Sequence, residues 1–262
     1  MAAPTLFIGS SAEGLKIARK VRQQLKEVAE ITIWKDGVFG LNRGNLESLL
    51  KALAQFDFAV LVLTQDDLVE SRGNPTIGPR DNVLLEAGMF LGRLGPDRTF
   101  MIYDSSKPPK IPSDLAGVSL ATFNGRRVDN NFLAAVGEAT DEIYDQIVRL
   151  GPLLLFTNPT PNSSVPRNVL ATGFLSANFK SLLPIVHPVN TDGYWKQELA
   201  TIDRTMGTWR SNLTVGVEGS SSVGRNYELF IVADPRLPAN SGSKLAACPP
   251  GSAQEFIVVK RR

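Results

Sequence analysis

The first 150 residues alternate between short apolar runs and longer segments whose apolar residues recur at helical spacing. The runs are β-branched or aromatic and predict strands at residues 6–8, 31–34, 58–63 and 99–103. The periodic segments predict helices at residues 12–28, 45–54, 80–94 and 129–150. Residues 58–63 are apolar throughout, as in a strand buried on both faces of a parallel sheet, so we expect this strand to be central.

Strands that alternate with helices predict a parallel, doubly wound α/β domain, because parallel strands need crossovers and helices cover both faces of the sheet. Ligands of such sheets bind at the carboxyl ends of the strands. Polar segments follow the predicted strands at residues 9–11 (GSS), 34–37 (WKDG) and 64–67 (TQDD). We expect these segments to lie together at one edge of the sheet.

The helix predicted at residues 80–94 carries a carboxylate at the edge of its apolar face. Gly-Pro pairs bound this helix on both sides. At about 100° per residue, one face collects the apolar residues Val83, Leu84, Ala87, Phe90, Leu91 and Leu94. Glu86 falls beside this face, so we expect it to be half-buried. The alternative is that Glu86 is solvated or paired with Arg80 or Arg93.

Composition limits the classes of function. The chain has 262 residues, enough for one large or two ordinary domains, and its 43% hydrophobic content is sufficient for real cores. Its 28 Lys and Arg residues nearly balance 26 Asp and Glu, which argues against a nucleic-acid polymer as partner. One cysteine and one histidine exclude an internal disulfide framework and are too few for a zinc or haem site.

The sequence also lacks the signals of secretion and membrane insertion. The amino terminus has no basic region followed by a long apolar run, and no stretch of eighteen apolar residues occurs. We therefore expect a soluble, cytoplasmic protein without a membrane partner.

The second half predicts a smaller domain. Residues 151–166 are rich in Pro, Asn, Ser and Thr and predict a linker. Asn168 begins a segment that predicts a helix to about Ile185. The expected organisation is a first domain at residues 1–150 and a second, smaller domain at residues 167–262.

Four ordered segments resemble the prokaryotic TIR domains of antiphage (CBASS) effectors, especially those fused to a STING-like sensor. They are residues 6–15 (LFIGSSAEGL), 34–39 (WKDGVF), 56–60 (FDFAV) and 80–86 (RDNVLLE). The resemblance implies a flavodoxin-like TIR fold for residues 1–150. It also implies an NAD⁺ glycohydrolase, with Glu86 as the catalytic residue and NAD⁺ as substrate rather than cofactor.

The residues suit that chemistry. Cleavage of the bond between nicotinamide and ribose builds positive charge on the ribosyl carbon, and nicotinamide leaves as a neutral group. A positioned carboxylate can stabilise this charge or hold the ribose hydroxyls without a metal, cysteine or histidine. Whether the product is ADP-ribose or a cyclised form depends on water access, which the sequence does not define.

Five further residues are candidates for substrate binding: Ser10, Ser11, Trp34, Arg80 and Asp81. The serines, Arg80 and Asp81 suit ribose, phosphate or helix-cap contacts, although an ordinary tight turn with a serine cap explains the serines equally well. Trp34 can stack on nicotinamide or adenine, and the alternative is a plain core aromatic.

Two segments of the second half resemble STING domains, namely residues 168–179 (NVLATGFLSANF) and 227–237 (YELFIVADPRL). The resemblance implies an α+β domain, either truncated or a shortened variant, with strands at residues 227–237 and 256–262. The resemblance implies a dimer that binds a cyclic dinucleotide, most often cyclic di-GMP, between its protomers. Phe174 is the candidate for stacking and Arg225 for phosphate binding. Packing at the dimer interface or in the core is the alternative role of Phe174.

Three functional hypotheses follow. The first is a hydrolase that depletes NAD⁺ when its sensor binds a nucleotide and homodimers assemble into higher oligomers or filaments; the loop at residues 36–47, with Phe39 and Leu41 at its tip, is where TIR domains make assembly contacts. The second is a non-catalytic TIR adaptor. The third keeps the enzyme but gives it a sensor for a cyclic mononucleotide, or a regulatory fold unrelated to STING.

Overall fold

The computed structural model describes residues 3–36, 46–71, 74–115, 120–237 and 242–262. These residues form two units, an N-terminal unit of residues 3–151 and a C-terminal unit of residues 152–262. The division falls beside residue 150, where the sequence analysis ends the first domain. The tip residues Phe39 and Leu41 of the predicted assembly loop lie outside the described residues.

The N-terminal unit alternates strands and helices as the hydrophobic pattern predicts. Its elements are β1 (Thr5–Ser10), α1 (Leu15–Leu25), β2 (Glu30–Ile33), α2 (Leu46–Leu53), β3 (Phe58–Leu63), β4 (Asp67–Ser71), β5 (Asn74–Gly78), α3 (Asp81–Leu94), β6 (Thr99–Asp104), β7 (Leu120–Phe123) and α4 (Phe132–Leu150). Five strands form one sheet in the order β2-β1-β3-β6-β7, and all neighbours are parallel. The prediction that residues 58–63 form the central strand is confirmed, since all six are buried.

Helices pack on this sheet through apolar stripes. α1 and α4 pack on one face of the sheet and share a core with strand residues such as Ile8 and Val60. α3 contributes Phe90, whose ring lies 5.0 Å from that of Phe7, and the Phe56 ring lies 5.3 Å from Phe7. Because alternate residues of β1 point to opposite faces, Leu6 and Ile8 serve one core while Phe7 and Gly9 face α3.

Two parts of this unit were not predicted. The hydrophobic pattern predicts no strand between residues 63 and 80, but β4 and β5 form an antiparallel hairpin in which Leu68 lies opposite Ile77. β7 was missed because it is only four residues long and mostly half-buried. Short strands with little burial leave little hydrophobic pattern to detect.

A buried arginine ties the last helix to the sheet. The Arg98 guanidinium donates hydrogen bonds to the carbonyls of Gly151, at 2.8 Å, and Leu150, at 3.2 Å. It lies 4.7 Å from the centre of the Phe58 ring on β3. These carbonyls belong to the end of α4, where backbone acceptors lack partners within the helix, so Arg98 satisfies them and fixes the point at which the chain leaves this unit.

The C-terminal unit is built of strands. They are β8 (Leu154–Asn158), β9 (Ser164–Val165), β10 (Asn168–Leu175), β11 (Leu182–Pro188), β12 (Tyr194–Lys196), β13 (Thr201–Asp203), β14 (Thr208–Thr214), β15 (Asn226–Ala233), β16 (Lys244–Leu245) and β17 (Ala253–Arg261). One sheet has the order β13-β14-β10-β8 and the other β16-β12-β11-β15-β17-β9. Their inner faces share one core, with Ala171 and Trp209 from the first sheet and Leu229 and Ile231 from the second. This arrangement is a β-sandwich.

Several predictions for this half are wrong. The helix expected from Asn168 to about Ile185 is replaced by β10 and β11, and β10 alternates exposed and buried residues as a strand does. Residues 151–166 are not a linker, since they contain β8 and β9. The described residues of this unit contain no α-helix, so the α+β class gives way to a mostly β unit.

The two strands expected at residues 227–237 and 256–262 are confirmed as β15 and β17. None of the helices in the described part of the chain combines the length and the hydropathy needed to cross a membrane.

Gly173→Ala should destabilise the C-terminal unit by several kcal/mol. A β-carbon at Gly173 would lie 1.9 Å from the Leu155 carbonyl oxygen and 2.6 Å from Nε1 of Trp209, so the two strands and the core indole would have to move apart. Overpacking of this kind costs about 1–3 kcal/mol, and more where backbone must shift.

Urea denaturation followed by Trp fluorescence measures this effect. The matched control is Thr172→Ala, one residue earlier on the half-exposed side of β10, where the loss of a hydroxyl contact with Thr157 should cost under about 1 kcal/mol. Equal midpoints for the two variants would contradict the packing described for Gly173.

Candidate active site

The candidate site lies where β1, β2 and β3 end. In the strand order β2-β1-β3, the connection after β1 leads to β2 on one side of β1, and the connection after β2 leads to β3 on the other side. The two connections therefore diverge between β1 and β3. Ligands of open α/β sheets bind at such a point, outside the carboxyl ends of the strands. The segments beginning at Gly9, Trp34 and Thr64 therefore meet at one edge, as the sequence predicts.

A close approach at this edge joins Gly9 of β1 to Glu86 of α3. A β-carbon placed on Gly9 would lie 2.8 Å from Oε2 of Glu86, 2.6 Å from Cδ1 of Leu61 and 3.0 Å from Cε1 of Phe7. Only glycine leaves room for the carboxylate against the end of the strand. Val83, Ala87, Phe90 and Leu94 are buried on α3 and Glu86 is half-buried, which confirms the predicted face and edge.

Burial raises the pKa of the Glu86 carboxyl to about 7, because the charged form loses hydration. No ion pair or hydrogen bond of Glu86 is present among the residues that the structure describes. Arg80 lies 3.6 Å from Asp67 instead, and Arg93 is buried beside the charge of Asp57. The alternative of pairing with Arg80 or Arg93 is therefore not realised, and Glu86 lacks a counter-charge in the described structure.

Ser10 and Trp34 are brought together. The Trp34 indole N–H donates a hydrogen bond of 2.9 Å to the Ser10 hydroxyl, which is buried at the end of β1. The Trp34 ring packs partly on the core, and Nζ of Lys35 lies 5.6 Å from its centre. Trp34 is thus half core aromatic, held in orientation by Ser10, with part of its surface exposed at the strand edge.

Ser11 belongs to a chain of hydrogen bonds that crosses from β1 to β3. The Ser11 hydroxyl accepts from the Gly14 amide at 3.1 Å, as a serine does at the start of a helix, and lies 3.0 Å from the Thr64 hydroxyl. Thr64 donates to Oδ2 of Asp66 at 2.8 Å. The other carboxylate oxygen of Asp66 is buried without a hydrogen-bond partner. Unpaired buried acceptors are rare, so this oxygen is available to accept a hydrogen bond from a ligand at this edge.

Arg80 and Asp81 stand apart from Glu86. Both are exposed at the start of α3, and Asp81 lies in its first turn, where a negative charge is favourable. Asp81 precedes Glu86 by five positions, about 7.5 Å along the helix axis and on a different side of it. The structure does not place these two side chains beside the carboxylate.

Sequence reasoning placed Gly9, Thr64 and Asp66 at this edge without giving them a role. The sequence does show the relevant features, since Gly9 directly follows the apolar run at residues 6–8 and Thr64 directly follows residues 58–63. The contact of Gly9 with α3 joins positions far apart in sequence, so local periodicity does not report it. Within the described residues, no cluster of three or more His, Cys, Asp or Glu side chains is placed to hold a metal ion.

Phe174 and Arg225, the candidates for a cyclic nucleotide, do not come together. Phe174 lies near the end of β10 in the four-stranded sheet, opposite Thr208. Arg225 precedes β15 in the six-stranded sheet and bonds to Arg261 at the end of β17. The antiparallel register puts these positions near opposite ends of the sandwich, so within one chain they do not line one small site. Their roles in a site between protomers, as the STING resemblance implies, stay predictions.

The N-terminal unit has a family match. Residues 5–125 match the family model described as the TIR domain of CAP12/Pycsar effector proteins. The parallel sheet and its helices are the TIR-like part of the chain, and the match supports a TIR effector of the CBASS and Pycsar type. This match does not extend to the second unit, so it does not show a STING-like fold there.

Curated relatives agree with this match. The chain is 38% identical to CD-NTase-associated protein 12 of Flavobacterium daejeonense over 185 residues, covering 68% of this chain and 54% of the relative. It is 48% identical to the protein of that name from Niabella drilacis, over 45% of this chain and 39% of the relative. It is 33% identical to the Pycsar effector protein PaPycTIR of Pseudomonas aeruginosa, over 56% of this chain and 48% of the relative.

The chain spans about half the length of the first and third of these relatives. An alignment that covers 68% of the chain must extend beyond residue 151, so part of the C-terminal unit is shared with CD-NTase-associated protein 12. Among solved structures, an endo-β-1,4-mannanase from Thermotoga petrophila covers 98% of this chain and 65% of its own, at a TM-score of 0.27 and 11% identity, too low to support an argument about fold.

Glu86→Gln should stabilise the protein above pH 7. The folded-state pKa of about 7 lies above the ordinary value of 4.5, so the folded protein holds a proton that the unfolded chain releases between these two values. Stability from the neutral carboxyl is present below pH 4.5 and is lost as the pH rises to 7. The amide cannot ionise, so its advantage over wild type should grow by about 2–3 kcal/mol from pH 4.5 to pH 8.

Thermal or urea unfolding at the two pH values measures this difference. Glu138→Gln, on an exposed side chain of α4, is the matched control and should show no such pH dependence. An advantage of Glu86→Gln that is the same at both pH values would contradict a buried, unpaired carboxylate.

Proposed function

We propose that the chain is an antiphage effector whose N-terminal unit hydrolyses the bond between nicotinamide and ribose in NAD⁺, and whose C-terminal unit controls this activity by binding a nucleotide. The observation that supports the proposal best is Glu86, a half-buried carboxylate without a described counter-charge at the carboxyl ends of the strands. The family match of residues 5–125 to TIR effectors supports the same activity.

The position of Glu86 supports a mechanism that needs a single carboxylate. An ionised Glu86 is poorly solvated, so it strongly stabilises a nearby positive charge, which lies on the nicotinamide ring of NAD⁺ before cleavage. That positive charge moves to the ribosyl carbon in the transition state, when the nicotinamide departs. A carboxylate beside that carbon therefore stabilises the transition state more than the ground state, which is the requirement for catalysis.

Other residues at the same edge of the sheet offer contacts to a substrate. The Trp34 ring, held by Ser10, offers an aromatic surface for a base or nicotinamide. Asp66 offers its unpartnered oxygen to a hydroxyl or amino group of the substrate, while Thr64 occupies the other oxygen. Arg80 and Asp81 lie at the rim, where they contact only a ligand that extends beyond the strand ends.

The control function rests on the second unit. Residues 168–175 form a strand and not the helix expected from the STING resemblance. The structure therefore does not favour cyclic di-GMP over a cyclic mononucleotide or another cyclic dinucleotide. The sequence shared with CD-NTase-associated protein 12 beyond residue 151 supports a regulatory unit that accompanies the TIR domain. The nucleotide is identified by the experiment below.

Assembly of several copies is part of the proposal. The cross-strand pair Leu68 and Ile77 on the hairpin is 77% and 46% exposed, and Leu85 on the outer side of α3 is 54% exposed. Exposed apolar residues on adjacent elements favour contact with a second copy of the chain. The same surface would serve the alternative function, a non-catalytic adaptor, but an adaptor gives no reason for the unpaired Glu86.

Purified protein should consume NAD⁺ only when a particular nucleotide is present, and both Glu86→Ala and Glu86→Gln should reduce this rate by roughly 10²–10⁴-fold. The assay follows NAD⁺ by chromatography with cyclic di-GMP, cyclic di-AMP and the four 3′,5′-cyclic mononucleotides, at several protein concentrations. A rate that rises more steeply than in proportion to protein concentration is expected, since assembly is required.

Glu138→Gln is the matched control for this assay, and it should keep the wild-type rate because it lies exposed on α4. Survival of NAD⁺ with every nucleotide at every protein concentration would overturn the hydrolase and leave the adaptor. Full activity of Glu86→Gln would remove the residue on which the proposed chemistry rests.

The pH dependence gives an independent check. Because Glu86 must be ionised and its pKa in the free protein is about 7, kcat/KM should rise about tenfold per pH unit below 7 and level off above it. Bound NAD⁺ brings the positive nicotinamide ring near the carboxylate and lowers its pKa, so the rise in kcat should occur at lower pH. A flat profile between pH 5 and pH 9 would contradict this assignment.

A further inference from the structure

Three arginines gather at one open end of the C-terminal sandwich. Arg167 precedes β10, Arg225 precedes β15 and Arg261 ends β17. Alternate residues of a strand share a face. Val169 and Val259 are buried in the core between the sheets, so Arg167 and Arg261, each two residues away, lie on the inner faces of opposite sheets.

A β-bulge aligns Arg225 with Arg261. Gly224 donates to the Arg261 carbonyl at 2.7 Å, and the Arg261 amide donates to the Arg225 carbonyl at 2.9 Å, so two residues oppose one. Gly224 has a φ of 79°, the left-handed conformation that such a bulge requires at its first position. Directly opposed residues have β-carbons about 5 Å apart, so the two side chains start as neighbours on one side of the sheet.

The chain also brings Arg167 to this pair. Arg261 lies beside Val165 of β9 in the sheet register, and neighbouring strands are about 4.8 Å apart. Arg167 follows Val165 by two residues, a span of at most about 7 Å. All three side chains therefore emerge at the same end of the sandwich, within reach of one small ligand.

Their charges are poorly compensated. Nε of Arg167 and Nε of Arg261 are buried without hydrogen-bond partners. In the part of the chain that the structure describes, the one ion pair of these three arginines joins Arg167 to Glu218 at 4.0 Å, and the Glu218 side chain is 91% exposed. An exposed pair at that distance contributes little. Strand pairing therefore holds three like charges together with one weak carboxylate partner, Glu218, among the described residues.

The loop beside these arginines carries further donors. Residues 215–225 (VGVEGSSSVGR) run from the end of β14 to the bulge and include Gly216 and Gly219, both with positive φ. Ser222 donates to the Val217 carbonyl at 3.0 Å, while Ser220 and Ser221 are exposed. Glycines and serines in a turn leave backbone N–H groups and hydroxyls open to an anion.

We propose that Arg167, Arg225, Arg261 and the loop at residues 215–225 form a binding site for the phosphate group of a small nucleotide. Guanidinium groups bind phosphate oxygens through paired, charge-assisted hydrogen bonds, and three of them compensate a phosphodiester or phosphomonoester. The phosphate site follows from the arginines alone. The identification of its ligand as a nucleotide rests on the proposed function, in which this unit is the sensor.

The test is isothermal titration of the full chain with the cyclic di- and mononucleotides of the activity assay, with inorganic phosphate as a further probe and guanosine as the probe without phosphate. At least one phosphate-bearing probe should bind, guanosine should not, and the affinity should fall with added salt. Arg225→Gln and Arg261→Gln should each weaken binding at least tenfold. Arg210→Gln, an exposed arginine on the outer face of β14, is the matched control and should bind as wild type.

The outcomes separate this proposal from the proposed function. Thermal unfolding of each variant shows whether the sandwich is intact, and binding by folded Arg225→Gln and Arg261→Gln with wild-type affinity would overturn the site. If a nucleotide activates NAD⁺ loss equally in these variants, the hydrolase stands and the site is wrong. If phosphate binding depends on the arginines but no nucleotide causes NAD⁺ loss, the site stands and the hydrolase is wrong. Absence of binding by every probe at millimolar concentration also overturns the site.

Discussion

The close contact between α3 and the end of β1 is the constraint on which the N-terminal unit depends. Gly9 has no side chain, so the helix approaches until Oε2 of Glu86 lies only 2.8 Å from the place a β-carbon would take. The stacked rings of Phe7 and Phe90 continue the same contact into the core. Apolar packing thus holds the Glu86 carboxylate in a poorly hydrated position. The favourable free energy of packing the whole helix exceeds the cost of removing this one carboxylate from water.

The sequence predicts most of this unit, because burial on a helix or strand face leaves a periodic pattern. β3 at the centre, α3 with its apolar face and Glu86 at the edge were all predictable. The β4–β5 hairpin was not, since Leu68 and Ile77 are exposed and its other residues are mostly polar. The contact of Gly9 with Glu86 and the bond from Trp34 to Ser10 join distant parts of the chain, which no local pattern reports.

The second unit shows where a family resemblance misleads. Leu170 and Phe174 point away from the core of the sandwich while Val169 and Ala171 point into it, so β10 is apolar on both sides and loses the alternation that identifies a strand. The hydrophobic pattern therefore does not separate this strand from a helix. Strand register associates Arg225 with Arg261 and not with Phe174. Strand register depends on pairing between distant segments, which local sequence patterns do not predict.

The parallel pairing of β9 with β17 has a consequence for the order in which the chain folds during synthesis. β1 to β7 pair with strands that are close in sequence, so the N-terminal unit is ready to fold once residue 151 has left the ribosome. β9 must wait for residues 260 and 261, which are made after all the other described strands of this unit. Late, non-local pairing folds slowly. The unit that carries Glu86 is therefore complete before the unit that carries the arginines, and each new chain passes through a stage in which the first has formed and the second has not.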